Sequence, residues 1–306
     1  MTEIVLGAML FGTRIGERES FAVLDRFVEG GGRWIDTANN YAFWLHPSGF
    51  GGQSEQVIGR WLAARPGVRD RVLISTKVGA EPTDPARGLD AMEGLSAPVI
   101  RSALTGSLQR LGTDRVDLYW AHVEDRSVPL AETAGAFSDL VAEGLAARLG
   151  ASNTPAWRVE QAHGLAEHSW TALQLRHSYV QPRPGAALES SAHRQVFPET
   201  LDYVRTAGLD LWAYSTLING GYGRPDRPLE EAYAHPGTDR RLAALTEVAA
   251  ELGATANQVV LAWLLGGDPP VWPIVGASTP ERLDEVLAAR DLKLDPGQRR
   301  RLDEAS

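Results

Sequence analysis

Short apolar runs alternate with longer segments of helical spacing along the whole chain. Each run is rich in β-branched or apolar residues, and Gly, Pro, Ser or Thr separates it from the next amphipathic segment. Alternating strands and helices predict a parallel sheet. Eight such units in 306 residues favour a closed (β/α)8 barrel, the TIM barrel, as a single domain over residues 1–306. The eight runs begin at Glu3, Arg33, Arg71, Arg115, Ala147, Thr171, Leu209 and Val271.

Capping residues predict where several of the helices begin and end. Ser20 is placed to cap the start of the first helix, and the glycines from Gly30 to Gly32 are placed to stop it. Thr255 is predicted to open a helix before the eighth strand. The long polar or Gly/Pro-rich stretches are predicted to be loops on the active face or decorations on the helix side: residues 79–97, 181–198 and 219–236.

Composition and charge narrow the classes of function. The 30 Lys and Arg against 39 Asp and Glu give a net charge of −9, with no basic block to follow phosphates, which disfavours nucleic-acid binding. The absence of cysteine excludes disulfides, thiolate metal sites and a cysteine nucleophile. No stretch reaches the roughly 20 apolar residues of a membrane span, and the N-terminus lacks signal-peptide features. We expect a soluble, cytoplasmic protein; its oligomeric state is left open.

Four ionisable side chains follow the ends of three neighbouring predicted strands. Strand two ends in Asp36 with Tyr41 just beyond it, strand three ends in Lys77, and strand four ends in His122. Taken singly, each has an ordinary explanation: a turn cap, a packed aromatic, a buried ion-pair partner and a core histidine. Together they make a proton-transfer set, because a buried Asp–Lys pair holds a cation beside a phenol and lowers the tyrosine pKa from about 10.

Six strings in order carry a resemblance to the aldo-keto reductase family, from about Leu6 to Leu287. The resemblance implies a (β/α)8 barrel that reduces a carbonyl with a nicotinamide cofactor and without metal. The strings are DTANNY from Asp36, STKVG from Ser75, DLYWAHVED from Asp117, GASN from Gly150, AYSTL from Ala213 and VGASTPERLDEV from Val275.

The resemblance also implies a role for each of the four ionisable residues. Tyr41 would be the general acid that gives its proton to the carbonyl oxygen. Lys77, paired with Asp36, would tune that phenol, and His122 would orient and polarise the carbonyl. The residues lead to the same mechanism, because a carbonyl that accepts hydride develops negative charge on oxygen and needs a donor and positive potential beside it.

The predicted cofactor site lies after strand eight. No G-x-G-x-x-G follows an early strand, which disfavours a Rossmann site. In GASTPER, Thr279 is a candidate N-cap and Arg282 lies in the first turn, so this helix start is either an anion site or an ordinary capped helix with a solvated arginine. The resemblance implies that Gly276, Ser278, Thr279 and Arg282 hold the 2′-phosphate of NADPH or NADP+. It places Glu285 near the adenine, although Val286 replaces the Asn that many members carry.

Further cofactor contacts are implied by the resemblance alone. The GASN string is also a plain strand-to-turn signal, and Tyr214 is also a plausible core residue. The implied set comprises Ser152, Asn153 and Gln174 at the nicotinamide carboxamide, Tyr214 stacked on the ring, and Ser215 and Leu217 near the pyrophosphate.

An aromatic insertion separates Tyr41 from the string GQSE. The insertion, AFWLHPSGFG, carries three aromatics and a histidine and is the predicted carrier of substrate choice. The alternative is that its aromatics only pack the loop down. Aromatic walls suit a ring-shaped or hydrophobic carbonyl compound, and a keto-sugar or natural-product intermediate stays open. The predicted pocket residues are Phe43, Trp44, His46, Phe50, Trp120 and Tyr222.

Two rival functions remain at the level of sequence. A relative of the same family could bind the cofactor and serve as a regulatory or scaffold subunit with little catalysis, although all four catalytic residue types are present. Another barrel enzyme, such as a phosphate-binding isomerase or lyase, would leave those four residues unexplained. An NADPH-dependent carbonyl reductase accounts for the most features.

Overall fold

Eight strands, β1 to β8, form a closed barrel in chain order, which confirms the predicted fold class. The computed structural model describes residues 2–186, 192–223, 226 and 228–305. Residues 187–191, 224, 225 and 227, within two predicted loops, lie outside the described residues. Every strand falls inside the run predicted for it: β1 Val5–Gly7, β2 Trp34–Asp36, β3 Leu73–Val78, β4 Leu118–Ala121, β5 Leu149–Ser152, β6 Ala172–Arg176, β7 Asp210–Tyr214 and β8 Val271–Val275.

Helices follow the strands, and their starts test the capping predictions. Thr255 is confirmed as an N-cap, because its side chain accepts from the backbone N–H of Gln258. Ser20 is wrong as a cap: the first helix begins a turn earlier, after Gly16, and the Ser20 hydroxyl donates back to the Gly16 carbonyl at 2.7 Å. The helices are α1 Glu17–Glu29, α2 Gln53–Ala64, α3 Ala97–Leu111, α4 Leu130–Ala142, α5 Ala156–His163, α6 Pro198–Ala207, α7 Pro236–Leu252, α8 Ala256–Leu265, α9 Pro280–Ala288 and α10 Pro296–Glu304.

Strand register brings the polar strand residues to one face. Ser75 pairs with Asp36, and Lys77, two residues further along β3, pairs with Trp120 of β4. Trp120 in turn pairs with Gly150 of β5. Side chains of paired residues point to the same face of a sheet, so these residues share the inner face. Trp120 is completely buried, and a Cβ at Gly150 would lie 2.2 Å from its ring, so the glycine makes room for the indole.

The outer face of the same strands packs on the helices. Tyr119, next to Trp120, points the other way, where its ring lies 5.3 Å from that of Phe137 in α4. Its hydroxyl donates to the carbonyl of Ile100 in α3 at 3.1 Å. This alternation gives β4 four buried residues in a row, as expected of a strand covered on both faces.

Contacts within the chain group the described residues into two compact units. The first comprises Val5–Gln174 and Gly276–Leu283, and the second comprises Met1–Ile4, Leu175–Val275 and Asp284–Ser306. That residues 1–306 make one domain therefore stays a prediction. Among the described residues no single helix could span a membrane; α7 and α8 together have the length and composition, but the chain bends by 97° between them.

Candidate active site

Three of the four predicted catalytic residues form one buried hydrogen-bonded cluster. The Nζ of Lys77 donates to Asp36 Oδ2 at 2.5 Å and to the Tyr41 hydroxyl oxygen at 2.6 Å. The Tyr41 hydroxyl donates in turn to Asp36 Oδ2 at 3.0 Å. Ser75 donates to the other Asp36 oxygen at 2.6 Å, and the carbonyl of Thr37 accepts a further bond from Lys77. The ammonium thus has three oxygen acceptors, and one of them is the phenol.

Burial sets the electrostatics of this cluster. The side chains of Lys77 and Asp36 are completely buried, so each ion depends on the other for its stabilisation. Removal from water lowers the pKa of Lys77, while the Asp36 charge and hydrogen bond act in the opposite direction. The ammonium also lies 4.4 Å from the centre of the Tyr41 ring. The buried ammonium thus places a positive charge in direct contact with the phenol oxygen.

His122, the fourth predicted residue, lies beside the tyrosine. Its ring centre is 5.8 Å from that of Tyr41, in an edge-on arrangement with 75° between the planes. It follows β4 directly, and its backbone N–H donates to the Val78 carbonyl at the end of β3 at 2.8 Å. Strand ends therefore bring the phenol and the imidazole to one place. Ala42, which follows Tyr41, adopts the left-handed conformation with φ +58°, a strained geometry of the kind found at functional sites.

The residues predicted at the carboxamide lie at the end of β5 and in the middle of β6, and they are buried. Asn153 donates through Nδ2 to the carbonyl of His122 at 3.1 Å and to Ser152 Oγ at 3.2 Å. The Asn153 backbone N–H donates to the Gln174 carbonyl at 3.0 Å. The side-chain Nε2 of Gln174 is buried without a hydrogen-bond partner among the described residues. An unsatisfied buried donor calls for an acceptor.

The residues predicted to bind the 2′-phosphate lie at the start of α9. Thr279 Oγ1 accepts from the backbone N–H of Arg282 at 3.4 Å, which supports its role as N-cap. The Arg282 guanidinium donates to Ser278 Oγ at 2.9 Å, and this arginine is exposed. Gly276 is exposed as well, and an added Cβ would lie 3.6 Å from the carbonyl oxygen of Gly7. The helix start thus presents a cation and hydroxyls to solvent.

The other predicted cofactor residues belong to the second compact unit. Tyr214 ends β7, its ring lies 5.5 Å from that of His193, and burial raises its pKa. Ser215 is left-handed with φ +54°, and Leu217 packs against an apolar cluster that includes Ile4 and Val286. Glu285 accepts hydrogen bonds from Thr255 Oγ1 at 2.8 Å and from the side chain of Asn257. Their roles toward a cofactor stay predictions.

The aromatic insertion after Tyr41 divides into buried and exposed residues. Phe43 is buried and meets Trp44 edge-on, with ring centres 5.1 Å apart. Trp44 is 54% exposed and Phe50 is 38% exposed, so both present apolar surface to solvent. His46 Nδ1 accepts from the backbone N–H of Ser48 and is 2.8 Å from its hydroxyl, which ties the imidazole into its own loop.

The other two predicted pocket residues contact other parts of the protein, and their roles toward a substrate stay predictions. Trp120 fills the space beside Gly150, as described above. In the second unit the Tyr222 hydroxyl lies 2.6 Å from Ser178 Oγ and accepts from the backbone N–H of Val180 at 2.8 Å. Burial raises the pKa of Tyr222. Tyr222 also lines a cavity of about 550 Å³ within its own unit.

Sequence reasoning missed a half-buried carboxylate beside the cluster. Glu93 Oε1 accepts from the Asn39 side chain and from the Gly79 backbone, each at 2.8 Å. For Ser75 the sequence did carry a signal: it lies two residues before Lys77 in the same strand, so the two side chains point to the same face. No local pattern distinguishes Glu93 in a long polar loop, because its partners come from other parts of the chain.

Comparisons with known proteins agree with this geometry. The Aldo/keto reductase family profile matches residues 3–306. The uncharacterized oxidoreductase YrpG of Bacillus subtilis is 31% identical over 96% of this chain and 89% of its own length. Norsolorinic acid reductase stcV of Emericella nidulans is also 31% identical, over 96% of this chain and 75% of its own. A solved structure, the thermostable aldo-keto reductase Tm1743 in complex with the inhibitor epalrestat, superposes with a TM-score of 0.74 at 26% identity, covering 99% of this chain and 94% of that one.

The family profile matches nearly the whole chain, and the similar proteins are oxidoreductases. This chain is an oxidoreductase that belongs to the aldo/keto reductase family.

Proposed function

We propose that this protein is an NADPH-dependent carbonyl reductase that converts an aldehyde or ketone to an alcohol, with Tyr41 as the general acid. The observation that carries the proposal is the Tyr41 hydroxyl oxygen, which lies 2.6 Å from the Lys77 ammonium. A phenol that gives up its proton leaves a negative charge, and the buried ammonium is already in contact with the atom that acquires it.

The residues on the chain fit a nicotinamide cofactor. Gln174 Nε2 is a buried donor without a partner among the described residues, and a carboxamide oxygen is an acceptor that would satisfy it. Asn153 and Ser152 lie beside it. The exposed Arg282 and the half-buried Ser278 at the start of α9 suit the 2′-phosphate that distinguishes NADPH from NADH. We propose NADPH for this reason, with Gly276 and Thr279 as further contacts. The cofactor roles of Glu285, Tyr214, Ser215 and Leu217 are proposed on the resemblance alone.

Each polar residue then has one task. NADPH, when bound, supplies the hydride. Tyr41 gives its proton to the carbonyl oxygen of the substrate, and Lys77 stabilises the phenolate that results. Asp36 keeps the ammonium charged in its buried position and, with Ser75, fixes its direction. His122, edge-on to Tyr41, orients the carbonyl oxygen toward the phenol.

We propose a ring-shaped, aromatic carbonyl compound as the substrate. The aryl-alcohol dehydrogenase of Pestalotiopsis microspora, which is 29% identical over 96% of this chain and 76% of its own length, supports this class by name. The insertion after Tyr41 supports it by chemistry, because Trp44 and Phe50 expose large apolar faces on which rings can stack. A keto-sugar would use the same faces and belongs in the same screen.

The test is Tyr41→Phe, measured as NADPH oxidation with a panel of aldehydes, aromatic ketones and keto-sugars. We expect turnover to fall by about 10²–10⁴-fold, the usual contribution of a general acid, with NADPH affinity retained in a fluorescence titration. Wild-type turnover in the variant would remove Tyr41 as the acid. A wild-type protein that binds NADPH but reduces nothing in the panel would instead favour a regulatory subunit.

A further inference from the structure

We infer that Glu93 is a positioning residue, which holds the segment carrying Tyr41 in register with the strand carrying Lys77. The inference rests on the proposed function, since it assigns Glu93 its effect through the phenol of Tyr41. Glu93 lies in the loop between β3 and α3.

One carboxylate oxygen of Glu93 gathers donors from two different segments. Glu93 Oε1 accepts from Asn39 Nδ2 and from the backbone N–H of Gly79, both at 2.8 Å. Asn39 precedes Tyr41 by two residues, and Gly79 follows Lys77 by two. The same oxygen accepts a longer bond, 3.4 Å, from the backbone N–H of Glu81. A single atom therefore joins the segment of the acid to the segment of its cation.

Loss of this acceptor would leave buried donors unpaired. Asn39 is 5% exposed, so its amide cannot turn to bulk water when Glu93 is removed. The only other bond that joins Asn39 to β3 within the described residues is backbone, from the Asn39 N–H to the Lys77 carbonyl, at a long 3.3 Å. The neighbouring residues stay bonded to the β3 side through the Thr37 N–H to the Ser75 carbonyl at 2.9 Å and through Asn40 Nδ2 to the Ala80 carbonyl at 3.1 Å. We therefore expect a small displacement of Asn39 and Tyr41 while the rest of the segment stays in place.

Hydrogen bonds hold the backbone around Glu93 in place. Its backbone N–H donates to the Glu81 carbonyl at 2.9 Å, and the N–H of Leu95 donates to Asp125 Oδ2 at 2.9 Å. The Leu95 carbonyl accepts from Thr133 of α4 at 3.0 Å. Asp125 follows His122 by three residues, so residues 93–95 bond to the loops after β2, β3 and β4 together. These bonds connect residues 93–95 to the ends of all three strands that carry the proposed catalytic groups.

A neutral side chain with an oxygen can replace the carboxylate here. Burial raises the pKa of Glu93, while its three N–H donors and the charge of Arg110 act against this. Glutamine keeps an acceptor oxygen at the same reach. Glu93→Gln is therefore the conservative rescue, and Glu93→Leu, of similar size, removes the acceptor. Glu132→Leu is the matched control, because Glu132 also accepts a backbone N–H, that of Ala97 at the start of α3, at an exposed position.

The experiment measures kcat for an aldehyde substrate and the NADPH dissociation constant for each variant, in the wild-type and Tyr41→Phe backgrounds. We expect Glu93→Leu to lower kcat by about 10–100-fold, the scale of a misplacement of about 1 Å at the reacting group. NADPH affinity should stay within about twofold, and Glu93→Gln should recover kcat to within about threefold of wild type. In the Tyr41→Phe background Glu93→Leu should cause no further loss, since its effect passes through the phenol.

Three results would overturn the inference while the proposed function stands: normal kcat in Glu93→Leu, a loss in Glu93→Gln as large as in Glu93→Leu, or an equal loss in the Tyr41→Phe background. If Glu93→Leu does not fold, Asn39→Ala removes the donor instead, and unchanged kcat in that variant overturns the inference as well. Full turnover in Tyr41→Phe alone refutes the proposed function, and the inference with it.

Discussion

Glu81 makes the stability of this protein depend on pH in a direction unusual for a carboxylate. Its half-buried side chain accepts from the backbone N–H of Gly51, at the end of the aromatic insertion, at 2.9 Å. Burial, together with the charges of Glu93 and Glu55, raises its pKa from 4.5 to about 7, although the Gly51 bond and Arg110 oppose this. The ionised form is thus less favourable in the folded protein than in the unfolded chain.

Proton linkage gives the sign and the size of this dependence of stability on pH. Between pH 4.5 and about 7 the folded state binds more protons at Glu81 than the unfolded state does, so stability falls as pH rises through this window. At about 1.36 kcal/mol for each pH unit, the full difference is about 3.4 kcal/mol. Because water still reaches the side chain, we halve this to about 1.7 kcal/mol for screening.

The perturbation is Glu81→Gln, which keeps an acceptor for the Gly51 N–H and removes the charge. We expect the free energy of unfolding in urea to rise by about 1–2 kcal/mol at pH 8 and by less than about 0.5 kcal/mol at pH 5. Glu132→Gln, at an exposed position with one backbone donor, is the control and should change little at either pH. An equal gain at both pH values, or a gain in the control, would refute the reasoning.

Three further predictions concern the cofactor, the barrel interior and the ion pair. Arg282→Ala should weaken NADPH binding by about 10–100-fold in a fluorescence titration and leave NADH binding nearly unchanged; equal losses would refute the 2′-phosphate contact. Gly150→Ala should lower the free energy of unfolding by at least about 1–3 kcal/mol, because its Cβ would lie 2.2 Å from the neighbouring indole. Gly135→Ala, in α4 with open space around it, is the control and should be neutral or stabilising. Lys77→Met should lower the free energy of unfolding by about 3–5 kcal/mol, because it leaves the buried Asp36 carboxylate without its cation. The double variant with Asp36→Asn should regain part of this loss. No regain would contradict the proposed dependence of each ion on the other.

Much of the fold and of the candidate site could be predicted from local patterns. A strand that ends in a polar residue delivers it to the carboxyl edge of a parallel barrel, so the order of the strands is enough to assign Asp36, Lys77 and His122 to one rim. The helix boundaries were predicted less accurately. Ser20 has the chemistry of a cap, yet α1 begins a turn earlier because acidic residues in that turn, Glu17 and Glu19, also favour a helix start.

The tertiary structure alone decided what surrounds those residues. Trp120 was predicted as a pocket aromatic, and strand register sets its indole against Gly150, a contact that no local pattern predicted; its role toward a substrate stays a prediction. Glu93 lies 54 residues from Asn39 along the chain and still forms part of the support of the proposed acid. The sequence by itself determined the strands, the barrel and the side chains at its rim, because periodicity and strand ends act over a few residues. Only the folded chain decided which distant donors share one half-buried carboxylate, because a contact between distant segments depends on register and on the space their neighbours leave.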